Sequence, residues 1–292
     1  MRGNPDSHEL IGFNSLPQVL AQLSAAPGQW TPIAGGTELM VAHAAGRLNA
    51  PKLINLWGLP ELDFVGVSDN SIAIGGGVTF SQIRNEAAIA EHFPLLSKAA
   101  GWIGSIANQS RATIAGNIVN GSPAADAPPA LLVYDAEIEL ISERGARRIP
   151  YADFHLGYKR SILQPDELVL ALHVPRRFAD HRRYLRKVGT RKAMAITKVA
   201  LAATAKLQNN VITEIRLAAA SVADRPVRLL ATEATLLGQP LNASTSQAAR
   251  KALLAEVHPI DDIRSTAEYR KQVAANLLDE FLRQLAQEGS TA

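Results

Sequence analysis

The run from Arg111 to Asp126 constrains this chain more than any other stretch: Arg-Ala-Thr-Ile-Ala-Gly-Asn-Ile-Val-Asn-Gly-Ser-Pro-Ala-Ala-Asp. It carries no charge between its two ends and is built almost wholly of small residues. Gly116 and Gly121 leave the main chain uncovered, so that a ligand can approach the peptide N–H groups. Thr113, Asn117, Asn120 and Ser122 set neutral hydrogen-bonding groups beside them, and Asp126 is the first acid after the run. Such a segment suits an extended polar ligand held through backbone amides. The plainer alternative is a tight loop packed against a neighbouring strand.

A second glycine pair lies upstream. Thr31 to Ala34 reads as a short strand running into Gly35-Gly36-Thr37-Glu38, and an apolar pattern resumes from Met40 to Ala45. Lys52 to Leu56 reads as another strand, so the spacing predicts a small βαβ unit with the glycine pair after its first strand. Before it, Ser15 to Ala26 has the pattern of a helix ended by Pro27-Gly28.

Further on, Leu62 to Val67 and Ser71 to Gly75 are predicted strands joined at Asp69-Asn70. Gly75-Gly76-Gly77 is followed by no Lys-Ser/Thr, so it reads as a turn before a helix capped near Thr79. Helical patterns cover Phe80 to His92 and Leu95 to Ile106. Ala130 to Tyr134, Glu137 to Ser142, the segment through Arg148-Ile149, and Leu168 to Val174 are predicted strands. The alternating acids Asp135, Glu137 and Glu139 read as the wet face of one of them. In the last third, Tyr184 to Val188, Thr197 to Leu207 and Val211 to Ala220 are predicted strands, the last two joined by a turn at Asn209-Asn210. Arg228 to Leu237, Gln247 to Val257 and Thr266 to Ala286 are predicted helices. Pro175 to Asp180 marks the expected boundary between two domains, because charge changes abruptly there.

The chain has no cysteine. Disulfides, thiol catalysis and iron–sulfur clusters bound by its own thiolates are therefore excluded. The seven histidines show no metal-ligand spacing, so no metal site is expected. A net charge of +3 is too small for a general nucleic-acid binder. The local excess of Lys and Arg from Arg176 to Lys198 is read equally as a solvated face or as a site for a phosphorylated cofactor or acidic partner. No run approaches a membrane span and Met1 to Leu10 lacks a secretory pattern, so a cytoplasmic protein is expected.

Taken together, Ile33-Ala34-Gly35-Gly36-Thr37-Glu38-Leu39 and Thr113-Ile114-Ala115-Gly116-Asn117 with Ser122-Pro123-Ala124-Ala125-Asp126 resemble the two flavin-binding motifs of the molybdenum hydroxylases. The resemblance is to their FAD-binding medium subunit, of the xanthine dehydrogenase and carbon monoxide dehydrogenase type. It continues through Gly157-Tyr158-Lys159, Pro165 to Val169 and Lys187 to Val199. It implies an α+β chain: a two-subdomain FAD-binding fold of the PCMH type, then a C-terminal α+β domain with a small antiparallel sheet and helices. The expected bounds are 1–175 for the FAD-binding domain (subdomains 1–56 and 57–175) and 180–288 for the C-terminal domain.

The resemblance also implies FAD with its pyrophosphate cradled by both glycine loops. Ile33, Ala34, Gly35, Gly36, Thr37, Glu38 and Leu39 would line the ADP and pyrophosphate. Thr113, Gly116, Asn117, Val119, Asn120, Ala125 and Asp126 would complete the phosphate, ribitol and adenosine contacts. Ile103 and Gly104 would lie near the ring, Leu168 and Val169 would pack on it, and Lys187 would tune it from its polar edge. No side chain is expected to act as a catalytic acid or base.

Two departures from the family pattern stand out. Ala115 replaces the first glycine of the second motif, and Ile103 stands where mammalian-type members carry an aromatic. Acids that follow the Lys187 region in NAD-reducing relatives are replaced by Lys192-Ala193-Met194-Ala195, which points to a quinone-like acceptor, a dye or oxygen rather than NAD. With no cysteine the chain cannot hold the clusters, and the resemblance implies that these and the molybdenum cofactor lie in partner subunits, an iron–sulfur and a molybdopterin subunit, in a dimer of heterotrimers. The remaining alternatives are a free-standing FAD-dependent oxidoreductase of the same fold and a non-catalytic assembly homologue.

Overall fold

The computed structural model describes residue 4 and residues 7–289. Mixed helices and strands form three main sheets, and the order of elements follows the sequence reading closely. The first sheet is parallel, with strands β1 (Glu9–Gly12), β2 (Thr31–Ile33) and β3 (Lys52–Asn55) in the order β1-β3-β2. Helix α1 (Leu16–Ala25) joins β1 to β2, and α2 (Leu39–Ala44) joins β2 to β3. The apolar stripe of α1 (Leu16, Val19, Leu20, Leu23) buries itself with Trp30 and Ile54. By contrast α2 has no buried residue, and Met40 and Val41 are exposed.

The second sheet is antiparallel and five-stranded. Its strands are β4 (Val65–Val67), β5 (Ser71–Gly75), β6 (Glu137–Ser142), β7 (Gly145–Pro150) and β10 (Leu168–Pro175), in the order β4-β5-β10-β6-β7. A short hairpin, β8 (His155–Gly157) and β9 (Arg160–Ser161), stands beside it. Between β5 and β6 come α3 (Phe80–Asn85), α4 (Ala87–His92), α5 (Pro94–Ala100), α6 (Ile106–Gln109), α7 (Ile114–Val119) and α8 (Pro128–Val133). Thr79 caps α3 in a full capping box with Gln82, as its position after the glycine triplet suggests.

Five expectations need correction. The Leu95 to Ile106 helix stops at Ala100, capped by Gly101, and a separate short helix, α6, begins at Ile106 after the left-handed turn at Gly104. Leu62 belongs to a 3₁₀ turn, Pro60–Leu62, and β4 begins only at Val65. Ala130 to Tyr134 is not a strand, because Pro128 and Pro129 occupy the first turn of α8, where proline fits a helix. The Phe80 to His92 helix is broken at Glu86, whose extended backbone ends α3 and whose carboxylate caps α4. Asp135 lies on no strand: it sits in the left-handed region (φ 48°) after α8.

The third sheet is antiparallel and consists of β11 (Arg182–Val188), β12 (Val199–Gln208), β13 (Val211–Ala220) and β14 (Val227–Arg228), paired in chain order. Its Leu201 and Leu217 face a core shared with Leu278 and Phe281 of α11 (Ala267–Gly289), alongside α9 (Leu230–Leu236) and α10 (Ala243–Glu256). The opposite face presents Ala202 and Ala218 to the core around α8. Both faces are thus covered, which accounts for the near-continuous apolar run of β12. Among the described residues, no helix is long and apolar enough to cross a membrane.

Asp135 ties α8 to this third sheet. Its carboxylate pairs with Arg177, with Arg216 Nε at 3.1 Å and with Arg228 Nη1 at 2.7 Å. Arg228 is also held by Glu233 at 2.6 Å. Replacing the acid by its amide keeps a residue that tolerates the left-handed backbone but leaves the Arg216 and Arg228 guanidinium groups short of one anion. Asp135→Asn is therefore expected to lower stability by about 2 kcal/mol in urea unfolding. A loss below about 0.5 kcal/mol, the scatter of ordinary surface changes, would contradict that role.

Candidate functional site

The two glycine motifs come together where two loops touch, the one after β2 and the one between α6 and α7. The loop after β2 turns through Gly36, which has φ +73°, a conformation that suits glycine. Gly35 lies directly on the other loop: a Cβ there would fall 1.6 Å from the Arg111 carbonyl oxygen. Among the described residues, the amides of Gly35, Gly36 and Thr37 make no backbone hydrogen bond. They border an open depression of ≈ 610 Å³ that is also lined by Met40, Val41, Ala44, Ala45 and Asn108. Unbonded amides at a glycine turn are the donors an anionic group needs.

The second motif behaves differently. Its centre is helix α7, capped by Thr113, whose hydroxyl accepts from the Gly116 amide at 3.2 Å. The Asn117 amide donates to the Thr113 carbonyl at 3.0 Å. The Gly116 and Asn117 N–H groups are therefore committed inside the helix. What α7 offers instead is Asn117 Oδ1, a buried acceptor with no partner among the described residues. Val119 is exposed, and the Asn120 amide bonds back to Gly116 O at 3.1 Å. Ala115 explains its own departure from the family pattern: its amide donates to Gly76 O at 3.2 Å and its methyl lies against that glycine. The extra methyl faces the sheet.

The flanking segments close around these loops. Gly121 (φ +61°) lets Lys159 of the β8–β9 hairpin approach, since a Cβ there would sit 2.9 Å from Lys159 Cα. Lys159 Nζ reaches Glu38 at 3.8 Å, linking the hairpin to the first loop. Gly104 (φ +49°) precedes the Ser105–Asn108 capping box of α6, with Ile103 packed at the edge of the main core. Leu168 and Val169 are both buried in β10, Leu168 with the α1 cluster and Val169 in the main core. Ala125 is buried next to Asp126.

Asp126 and Lys187 are brought together across a separation of 61 residues, Nζ to Oδ2 at 2.7 Å. Lys187 Nζ also lies 3.5 Å from the Trp102 carbonyl oxygen. Thr197 completes the group, its hydroxyl donating to Asp126 Oδ1 at 2.6 Å. Burial pushes the Asp126 carboxyl above the usual carboxylate range, opposed by the Lys187 ammonium and the Thr197 hydroxyl. Lys187 is thus not an isolated cation: its charge is balanced by Asp126. Of the remaining basic groups in that segment, Arg191 holds the Met194 carbonyl at 2.7 Å. Trp102 was not legible as a site residue, since no motif marks it, and Thr197 falls inside the Lys187–Val199 stretch without being singled out there. Among the described residues no cluster of three or more His, Cys, Asp or Glu is placed to hold a metal.

An elongated cofactor with a diphosphate fits these features: unbonded amides at one loop, an unpartnered buried amide oxygen, and a buried ion pair beyond them. Comparison with known proteins agrees. The family described as the FAD binding domain in molybdopterin dehydrogenase matches residues 10–177, and the CO dehydrogenase flavoprotein C-terminal domain matches residues 184–285. A xanthine dehydrogenase FAD-binding subunit of Escherichia coli is 32% identical over 240 residues, 82% of either chain. The glyceraldehyde dehydrogenase medium chain of Sulfolobus acidocaldarius is 28% identical over 282 residues, 97% of this chain and 99% of that one. Among solved structures, carbon monoxide dehydrogenase from Hydrogenophaga pseudoflava, in a form lacking the Mo-pyranopterin moiety, superposes with a TM-score of 0.90. It shares 26% identity over 95% of this chain and 96% of that one.

The two glycine motifs are expected to respond unequally to substitution. Gly36→Val places a branched side chain in the left-handed region and beside the unbonded amides, and should weaken FAD binding more than about tenfold, that is by over 1.4 kcal/mol. Gly116→Val meets Thr113 Oγ1 at 3.0 Å but removes no unbonded amide, so its effect should be smaller. Fluorescence titration of each variant with FAD, with circular dichroism as a check on folding, measures the difference. Equal losses in the two folded variants would show that both loops supply the diphosphate donors.

Proposed function

The chain belongs to the family of FAD-binding subunits of the molybdopterin dehydrogenases, and from that premise we propose how it works and with what it assembles. It is the flavin-carrying oxidoreductase subunit, the medium chain, of a molybdenum hydroxylase. FAD, when bound, takes up electrons and hands them to a terminal acceptor. The protein binds, orients and shields. The amides of Gly35, Gly36 and Thr37 hold the diphosphate, supported by Ile33, Ala34, Glu38 and Leu39. Asn117 serves the ribitol end, with Thr113 and Gly116 shaping its helix and Val119, Asn120 and Ala125 framing it. Leu168 and Val169 wall the ring pocket with Ile103 and Gly104, and Lys187 with Asp126 occupies its polar edge. The observation that carries this reading is the set of unbonded amides at the Gly35–Gly36 turn.

The absence of cysteine supports the assembly. Electrons must arrive from clusters on another polypeptide, so an iron–sulfur subunit and a molybdopterin subunit complete the enzyme. A dimer of heterotrimers in the cytoplasm is the arrangement proposed, with residues 1–175 carrying FAD and 180–288 forming the C-terminal domain. An acceptor other than NAD remains the reading for the Lys192-Ala193-Met194-Ala195 segment, although Lys187, being paired with Asp126, adds little net charge to it.

Purified chain reconstituted with FAD is expected to hold about one FAD, removable by denaturation because no cysteine is present for a thioether and no histidine lies in either glycine motif. It should contain no iron, lose its flavin colour with dithionite, and show no hydroxylase activity until both partner subunits are added. Absorbance, iron analysis and a hydroxylation assay test each part. Stoichiometric iron in the isolated chain, or FMN retained in place of FAD, would overturn the proposal.

A further inference from the structure

Asp126 is tied to the third sheet through two hydroxyl groups. The Thr197 hydroxyl takes Oδ1 at 2.6 Å and leaves Oδ2 to Lys187 at 2.7 Å. The Thr197 carbonyl in turn accepts from Ser221 Oγ at 2.9 Å. The Ser221 amide donates to Pro123 O at 2.8 Å, just upstream of Asp126, so the bonds close into a ring around the Pro123–Asp126 segment. Ser221 is buried and holds φ +62°, a conformation that a serine keeps only where its surroundings over-determine it. Buried Arg270 braces the same corner, reaching the carbonyls of Lys198 and Ser221 at 3.4 Å each and Asp262 at 2.7 Å.

The other end of this ring is a charge with donor capacity to spare. The Lys187 side chain is 11% exposed. Its ammonium has three N–H donors. Asp126 and the Trp102 carbonyl engage two of them, and among the described residues nothing takes the third. A buried donor without a partner is costly, and a ligand acceptor relieves that cost. Lys187 can present that donor in a fixed direction only if Asp126 is itself fixed. Thr197 is the only other side chain among the described residues that bonds the Asp126 carboxylate.

We infer that Thr197 is a positioning residue: its hydroxyl fixes the Asp126 carboxylate that holds Lys187, and thereby sets the charge that a bound flavin meets. The inference rests on the cofactor reading above. Its physical consequence has a definite sign. Without the Thr197 hydroxyl, the buried carboxylate loses one of its two side-chain partners, and its neutral form becomes relatively more favourable. Lys187 is then less well compensated. A less compensated cation stabilises the extra negative charge of a reduced ring, so the flavin becomes easier to reduce.

Thr197→Val removes the hydroxyl at nearly constant volume, and Thr197→Ser keeps it. Each FAD-loaded variant is titrated spectroelectrochemically against wild type, with bound FAD quantified by absorbance. The valine variant should load FAD to the wild-type level and shift the midpoint potential positive by about 30 mV, a tenfold change in the reduced-to-oxidised ratio for a two-electron couple. The serine variant should return to the wild-type potential. If valine at this position prevents folding, Thr197→Ala provides the same comparison. An FAD-loaded variant lacking the hydroxyl but with the wild-type potential would overturn the inference, as would a serine variant shifted as far as the valine one. Wild-type chain that takes up no FAD would instead overturn the cofactor reading beneath it.

Discussion

Gly35 and the Arg111 carbonyl touch backbone to backbone, and the site exists because nothing larger than hydrogen stands between them. A methyl group at Gly35 would be 1.6 Å from that oxygen, which no side-chain adjustment can relieve. The same device recurs nearby: Cβ atoms at Gly75 and Gly76 would fall 2.3 Å from the carbonyl oxygens of Leu62 and Val169. These glycines let main-chain segments pack directly on one another: the loop after β2 on Arg111, the end of β5 on the 3₁₀ turn at Leu62, and the turn after it on β10. Gly36 does something else, turning the chain through positive φ where the neighbouring amides make no backbone hydrogen bond. Close approach and left-handed turn are separate requirements, met by adjacent residues.

The third sheet supports this junction from behind. Alanines on one face of β12 and β13 let α8 pack closely, while Asp135 and its arginines fasten the end of that helix. Lys187 from β11 and Thr197 from the segment leading into β12 reach forward to Asp126. The C-terminal part of the chain therefore contributes directly to the electrostatics of the candidate site, and is more than a scaffold. An ion pair buried there is stable only with its remaining hydrogen bonds satisfied, which is why a threonine hydroxyl, easily overlooked, matters.

Much of this was legible in the sequence. Alternating acids marked β6, a leucine-rich run stopped by Pro175 marked β10, and turn signals placed β5 and the long β12–β13 hairpin, with Asn209 and Asn210 in left-handed conformations as a tight turn requires. The first glycine pair was readable as a turn exposing amides, since few other roles demand Gly-Gly after a strand. Ala130 to Tyr134 was misread because a short apolar run carries no helix or strand period, and the prolines that decide it precede the run. The second motif was read as an open loop because its small residues hide a capped helix, α7, in which Thr113 and Gly116 satisfy each other. Asp135 looked like one of three alternating acids, although its partners Arg216 and Arg228 lie 81 and 93 residues away. Thr197 lay within the Lys187–Val199 stretch, but its role was not readable there, because it depends on what the fold places 71 residues upstream.

The central claim is that the diphosphate of FAD is held by the amides after β2 rather than by those of α7. Amide NMR of ¹⁵N-labelled chain during titration with FAD tests it residue by residue. The account predicts that the signals of Gly35, Gly36 and Thr37 move most, while Gly116 and Asn117 remain close to their unliganded positions with their exchange protection intact. Unmoved signals for Gly35 to Thr37, with the largest changes at Gly116 and Asn117 or in the Gly75–Gly77 turn, would contradict it.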